Sequence, residues 1–293
     1  MKIIVTGSLG NISQPLTQSL MKAGHAVTVI SSKPDKQEAI EALGAAAAIG
    51  ALQDVDFLMT TFTGADAVYV MVPPNYRAPD MIAYYRETGD NYVKAIQHSG
   101  VKRVVHLSSY GAHLDKGTGV ILGSHHIEEM LNGLPGVSIT HMRPAYFYYN
   151  LYAFVEMIKK TGLMVANYGG DDRIVMVSPL DIAAAIAEEI TAAMGNPVRY
   201  VASDARTANE IASVLGKAIG KPDLTWLKIS AEETRKGMEA NGVPVNLASL
   251  LVELNGGIHS GKLTEDYDLN PPALGKVKLE DFAREFAAVF NKK

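Results

Sequence analysis

The sequence predicts an α/β protein: a doubly wound parallel sheet with a smaller, helix-rich carboxyl-terminal lobe. Three observations carry this. Strand-length apolar runs alternate with helix-period segments through the first half of the chain, the pattern of parallel strands joined by crossover helices. A glycine turn, VTGSLGNISQPL at residues 5–16, follows the first strand. The second half then becomes helix-rich, with three segments that have the spacing of a capping box.

The apolar runs of strand length are KIIV, AVTVI, AAAAI, AVYVMV, RVVHL and VSITHM. Between them, helical spacing groups Leu16, Leu20 and Met21, then Ile40 and Leu43, then Leu58 and Phe62. It continues from Met81 through Ile96 and through Ile127, Met130 and Leu131. Gly24, Gly44, Gly100 and Gly133 each follow a helical stretch and suit the left-handed position past its end. Downstream, SPLD, TANE and SAEE predict helices opening near 179, 208 and 231, with Asp181 serving the first of these. Strand-like VRYVAS and LTWLKIS lie among them. Leu279, Phe282, Phe286, Val289 and Phe290 recur at helical spacing and predict a docked terminal helix. The expected domains are 1–150, with 173–200 returning to it, and a lobe of 151–172 and 201–293. A ligand site is expected in the cleft between them.

Composition narrows the function. With 293 residues and 47% of them hydrophobic, the chain can bury a substantial core. It has no cysteine, which excludes disulfides, thiolate metal sites and a cysteine nucleophile. The formal charge of −4 comes without a basic block, which argues against direct nucleic-acid binding. MKIIVTG is too short for a secretory signal, and no stretch has the length of a membrane span. The expectation is a soluble cytoplasmic protein that binds a small molecule.

The glycine turn suggests which one. Gly7 follows the strand directly, where the chain must turn sharply. Gly10 lies where a backbone must approach a pyrophosphate closely, and the next helix starts near Asn11 to Ser13 with its free amides facing that point. Ser13 keeps the third motif position small. This is a Rossmann-type arrangement. A carboxylate for the ribose of NAD is expected about 20 residues on, but the second strand ends in Ser31, Ser32 and Lys33. Two hydroxyls and an ammonium suit a 2′-phosphate, so NADP(H) is preferred over NAD(H). The alternative is that Lys33 is a solvated loop lysine.

VTGSLGNISQPL, GADAVYVMVPP, VVHLSSYGA, IEEML with ITHMRPAYFYYN, and VSPLDIAAAIAEEI follow one another in an order that resembles the NmrA-like branch of atypical short-chain dehydrogenases. That branch includes NADPH-dependent quinone reductases and NADP-sensing regulators. The resemblance implies that backbone around Gly7, Leu9, Gly10, Asn11 and Ile12 cradles the pyrophosphate. It implies that Ser31, Ser32 and Lys33 meet the adenosine phosphate. Val72, Pro73 and Pro74 would flank the nicotinamide ribose, with Ser108 and Ser109 at the end of the fifth strand. Pro144, Ala145, Tyr146 and Phe147 would border nicotinamide and substrate. Ala51 and Leu52 depart from the Gly-Asp common in relatives.

Ordinary members of the superfamily use tyrosine with lysine four residues later as a proton relay. None of the 13 tyrosines here has that lysine. By register, Val120 and Ser124 fill the two slots, with His125 and His126 adjacent. His125, Ser124 and Tyr146 are the candidate catalytic residues, and a partly exposed helix histidine is the alternative for His125. His125, His126, Glu128 and Glu129 read as a solvated helix face, so no metal is expected. The aromatic run from Tyr146 to Phe154 would line an acceptor pocket or pack the core. The expected function is hydride transfer from NADPH to a quinone-like or conjugated carbonyl acceptor. The alternative is a non-catalytic NADP(H) sensor that binds a regulatory partner. A homodimer is also open.

Overall fold

The computed structural model describes residues 1–193 and 195–292. In chain order the elements are β1 (Lys2–Val5), α1 (Ser13–Lys22), β2 (Ala26–Ser31), α2 (Gln37–Glu41), β3 (Ala46–Ile49), α3 (Val55–Phe62), β4 (Ala67–Val70), α4 (Met81–Ser99) and β5 (Arg103–Leu107). There follow α5 (Leu122–Asn132), β6 (Ser138–Pro144), β7 (Tyr146–Phe147), α6 (Val155–Thr161), β8 (Leu163–Ala166), β9 (Arg173–Val177), α7 (Pro179–Thr191) and β10 (Val198–Val201). The chain ends through β11 (Asp204–Thr207), α8 (Ala208–Ala218), β12 (Thr225–Lys228), α9 (Ala231–Ala240), α10 (Val245–His259), α11 (Glu265–Leu269) and α12 (Leu279–Phe290).

The seven-stranded sheet has the order β3-β2-β1-β4-β5-β6-β10. The pairs from β3 through β6 are parallel. This is the doubly wound α/β fold. Its strand order reverses between β1 and β4, which is where such sheets bind ligands, outside the carboxyl ends of the strands. Strands covered on both faces must be apolar throughout. All four residues of β4, Ala67–Val70, are accordingly buried. Ile4, Val68, Val70 and Val104 of the sheet pack with Leu58, Phe62, Tyr92, Ile96, Ile127 and Leu131 of α3, α4 and α5. Among the described residues no helix is long and apolar enough to cross a membrane.

The chain divides into two compact units: Met1–Ser109 with Gly123–Arg143 and Ile182–Arg199, and Tyr110–Leu122 with Pro144–Asp181 and Tyr200–Lys293. The second unit therefore takes residues 110–122 out of the expected 1–150 block, because Tyr110, Ala112 and Ile121 bury themselves with Leu151, Ile258 and Leu263. It holds two small sheets, β11-β9-β7 and β12-β8. The terminal helix docks as its spacing predicts, with Leu279, Phe282 and Phe286 buried. Tyr148 stacks on Phe282, and Tyr152 stacks on Phe286, so these members of the aromatic run pack the core.

Local signals fare unevenly. Thr207 and Ser230 form the capping boxes that TANE and SAEE predict. Asp181 does something else: its carboxylate accepts from Ser203 Oγ and from the amides of Lys276 and Val277, pinning a distant loop instead of a helix start. Gly24, Gly44 and Gly100 have positive φ, whereas Gly133 does not.

Gly119, at φ 57°, has no room for a side chain: an added Cβ would overlap the Leu250 carbonyl oxygen and lie 2.9 Å from the Leu254 amide nitrogen. Gly242 has φ 86° with open space around its Cβ position. We expect Gly242→Ala to cost about 1 kcal/mol, the backbone term alone. Gly119→Ala should cost about 2–4 kcal/mol, because helix backbone must move as well. Urea midpoints compare the two, and equal losses would refute the steric term.

Candidate functional site

In the first unit, the end of β1 is organised by Thr6, which is fully buried. Its amide donates to Tyr69 O at 3.1 Å, and its Oγ1 accepts from the Met71 amide at 2.9 Å. Its carbonyl accepts from Ser13 Oγ at 2.8 Å. One residue thus joins β1 to the chain leaving β4 and to the start of α1. The next two residues are left-handed: Gly7 at φ 90° and Ser8 at φ 55°. A Cβ on Gly7 would stand 2.6 Å from Ser13 Oγ and 3.1 Å from Met71 Sδ. Gly10 donates to Gly7 O at 3.1 Å, and a Cβ on Gly10 would lie 3.1 Å from that same oxygen. The turn is a backbone concavity that side chains would fill. Ile12 precedes α1 and provides no side-chain cap. The Gln14 amide donates to Gly10 O at 3.0 Å and Pro15 has no N–H, so the start of α1 offers an anion the Ser13 amide and the positive end of the helix dipole. Leu9 is half-buried, Asn11 is exposed and Ile12 is buried.

The second strand reaches this turn. Ser8 N donates to Ile30 O at 3.0 Å, and Ser8 Oγ donates to Ser31 Oγ at 3.0 Å. Ser31 Oγ also accepts from the Lys33 amide at 3.2 Å. Ser31 is thus a buried brace, while Ser32 and Lys33 are the exposed side chains at this edge. Asp35 lies in the first turn of the following 3₁₀ segment, Pro34–Lys36. After β3, Leu52 is buried and its carbonyl accepts from Asn91 Nδ2, so this position serves the core. After β4, Val72 is buried, Pro73 half-buried and Pro74 exposed. Tyr92, whose phenol burial pushes well above its ordinary range, donates to Met71 O at 2.7 Å.

The end of β5 holds a charged cluster. Ser108, Glu128 and Arg143 are all buried. Arg143 grips Glu128 with two bonds, Nε to Oε1 at 3.0 Å and Nη2 to Oε2 at 2.6 Å. Ser108 Oγ donates to Glu128 Oε1 at 2.5 Å. The expected solvated face of α5 is corrected here. Glu129 is exposed, but Glu128 shares the buried face of Ser124, Ile127 and Leu131. That i, i+3, i+4, i+7 spacing was the signal available in the sequence. Breaking such a buried pair by removing one partner costs about 3–5 kcal/mol.

Beside this cluster, His106 Nδ1 lies 3.1 Å from His141 Nδ1, and His141 Nε2 lies 3.1 Å from Asn132 Oδ1. With Asn132 accepting, His141 carries its proton on Nε2, so His106 Nδ1–H donates to His141 Nδ1. Burial, and next the neighbouring His141, hold His106 well below its ordinary pKa. Burial also lowers His141.

Of the catalytic candidates, Ser124 is buried in α5 and His125 half-buried, with His125 Nε2 at 3.5 Å from Glu129 Oε2. His125, His126 and Glu129 bring three possible ligand atoms within 4.8 Å of one another. Arg86 Nη2, however, lies 2.7 Å from His126 Nε2 and holds a positive charge against that group. Pro144, Ala145, Tyr146 and Phe147 belong to the second unit. There the Tyr146 hydroxyl lies 3.2 Å from that of Tyr168, and burial pushes the Tyr146 phenol up to about 12. Pro144 and Ala145 are buried, and Phe147 half-buried.

The NmrA-like family model matches residues 1–264. The chain is 24% identical to an NAD(P)H azoreductase of Xenophilus azovorans over 99% of each protein. It is similar in structure to an NADPH-dependent quinone oxidoreductase of Escherichia coli in complex with NADPH, with TM-score 0.83, 24% identity, and coverage of 99% of this chain and 100% of that one. It is also similar to the triphenylmethane reductase of Citrobacter sp. complexed with NADP(H), with TM-score 0.81, 20% identity, and coverage of 97% and 99%.

The histidine pair has a consequence for pH. Unfolded, each imidazole binds a proton below about pH 6.5; folded, both resist it. The unfolded state thus gains protons as pH falls, and stability drops by up to about 1.4 kcal/mol per pH unit for each imidazole. Denaturant titrations between about pH 6.5 and 5 should show a shallower decline for His106→Gln, whose amide can still donate to His141. Identical slopes would refute the assignment.

Proposed function

The chain belongs to the NmrA-like family, and we propose that it is an NADP(H)-binding oxidoreductase that passes hydride from NADPH to a quinone-like, azo or other conjugated acceptor. The observation that carries this is the turn at Gly7 to Gly10: a backbone concavity that a Cβ would fill, beside an uncapped helix start at the topological switch point. These residues fit a dinucleotide. In the proposal, backbone from Gly7 to Ile12 holds the pyrophosphate, and Ser32 with Lys33 meets the 2′-phosphate. Ser31 shapes their loop, and Val72 to Pro74 with Ser108 and Ser109 border the nicotinamide half. Pro144, Ala145, Tyr146 and Phe147 are proposed to complete that half.

The bound cofactor supplies the hydride. What the chain supplies is orientation, since aligning two rings removes entropy that otherwise contributes about 7–11 kcal/mol to the barrier. His125 is the proposed proton donor, with Ser124 beside it. Tyr146 is less suited to that role, because burial makes its phenol a weaker acid than a free one.

Two measurements test the reading. NADPH oxidation should be observed with a simple naphthoquinone, an azo dye or a triphenylmethane dye. No turnover alongside tight NADPH binding would overturn the enzyme and favour a cofactor sensor. Lys33→Ala should weaken NADPH binding about tenfold while leaving NADH binding unchanged. Equal effects on both nucleotides would remove Lys33 from phosphate recognition. Gly7→Ala should weaken both nucleotides, because its Cβ enters the turn itself.

A further inference from the structure

We infer that Ser108 is an acceptor-only hydroxyl, set in that polarity by Glu128 and Arg143, and that it selects a ligand carrying an N–H donor: the carboxamide of the nicotinamide ring. This rests on the cofactor reading above and adds the direction of one contact to it.

The polarity follows from counting protons. Ser108 Oγ lies 2.5 Å from Glu128 Oε1. Two oxygens approach that closely only with a proton between them. Glu128 has none to give. Oε1 already receives Arg143 Nε–H at 3.0 Å and Oε2 receives Nη2–H at 2.6 Å, so the group is a carboxylate with acceptors only. The proton therefore belongs to serine, and it is committed. Toward anything else, Ser108 can offer only lone pairs, and donation to a carboxylate makes those lone pairs stronger acceptors. All three residues are buried, so turning the hydroxyl away would take a hydrogen bond from a buried carboxylate with no water to replace it.

The place of the hydroxyl identifies the ligand group. In a doubly wound sheet each half binds one mononucleotide at the carboxyl ends of its strands. β1 to β3 form the half whose turn and Lys33 suit the adenosine side. Ser108 directly follows β5, in the middle of the other half. The nicotinamide mononucleotide presents two kinds of donor there, the ribose hydroxyls and the carboxamide N–H₂; with the ribose assigned to Val72 to Pro74 after β4, the carboxamide is the donor left for Ser108. An acceptor-only serine also cannot stabilise an oxyanion that develops on a reduced acceptor. Ser108 thus acts on cofactor orientation, and Glu128 and Arg143 are positioning residues that act through it.

The test is the affinity of NADP⁺ against its 3-acetylpyridine analogue, in which a methyl group replaces the carboxamide NH₂ and the carbonyl remains. Wild-type protein should prefer NADP⁺, and Ser108→Ala should lose about tenfold of that preference. Glu128→Gln provides a second readout. Its amide oxygen turns to Arg143 and its N–H₂ turns to Ser108, which frees the serine proton. The preference should shrink although the hydroxyl is intact. A role only in folding would move both nucleotides together. Where Glu128→Gln does not fold, Ser108→Ala alone decides. An unchanged preference in Ser108→Ala overturns the inference and leaves the cofactor reading standing. Failure of the wild type to bind either nucleotide overturns the cofactor reading and this inference with it.

Discussion

The first unit depends on a close approach that only a missing Cβ permits. Ser13 Oγ stands 2.6 Å from where a Cβ on Gly7 would be, and from there it reaches Thr6 O. That bond fixes where α1 begins relative to the end of β1. Thr6 also ties β1 to β4 and to Met71, and Ser8 ties the turn to Ile30 and Ser31 of β2. Three consecutive residues therefore connect the central strand to both its neighbours and its helix. Ser8 sits at φ 55°, a conformation that costs about 1–2 kcal/mol for a residue with a side chain. Its backbone and hydroxyl bonds to the second strand offset that cost. A turn this determined is pre-organised, so a ligand held by its amides need not order it first.

Two buried arginine–glutamate pairs then fix the other half of the sheet. Arg103, at the start of β5, meets Glu189 of α7 at 3.1 Å. Glu189 Oε1 also accepts from Thr140 Oγ1 at 3.0 Å and from the Asn196 amide at 2.8 Å. Arg143 meets Glu128 at the far end of β6. Between the pairs, His106 and His141 face each other in register across β5 and β6. Such pairs add little net stability over an apolar core, but a slip of one residue would strand each charge without its partner. They act as register marks in a sheet whose other residues, many of them valine, isoleucine, leucine or alanine, would tolerate sliding.

This explains what the sequence revealed and what it hid. The alternation of strand and helix was legible because both faces of the sheet are covered, so most strands are largely apolar, with the polar residues concentrated in β5 and β6. The glycine turn was legible because its spacing answers to backbone geometry. The smallness of Ser13 was legible too, although its hydroxyl does more than stay small. Glu128 was misread because charge alone does not separate it from Glu129; only its phase with Ser124, Ile127 and Leu131 does. Asp181 was misread because SPLD has the same local spacing whether its carboxylate caps a helix or bonds the amides of Lys276 and Val277, nearly a hundred residues on. Residues 110–122 join the second compact unit for a related reason: they are buried with Leu263 and Ile258, a long-range contact that no local pattern encodes. Local rules fail where a polar side chain's partner is remote in sequence.

The same electrostatics bear on which acceptors suit a protein of this design. A tyrosine relay works when a neighbouring cation lowers the phenol's pKa. Here no tyrosine has lysine four residues on, and the phenols near the aromatic run are driven the other way: Tyr146 to about 12 by burial, and Tyr168 well above its ordinary value by burial and by Tyr146. Neither can hand over a proton in step with hydride transfer as easily as a cation-assisted tyrosine. The Ser108 proton is likewise committed to Glu128. Under the proposed function, a site with these phenols and this serine would favour acceptors that need little acid. An aliphatic ketone becomes a strongly basic alkoxide and requires a proton as it forms. A quinone or an extended azo system delocalises the incoming electron pair and can take its proton afterwards from water or, in the proposed reading, from His125. In the proposed reading, the arrangement of protons in the fold, more than the shape of any pocket, is what would favour conjugated acceptors.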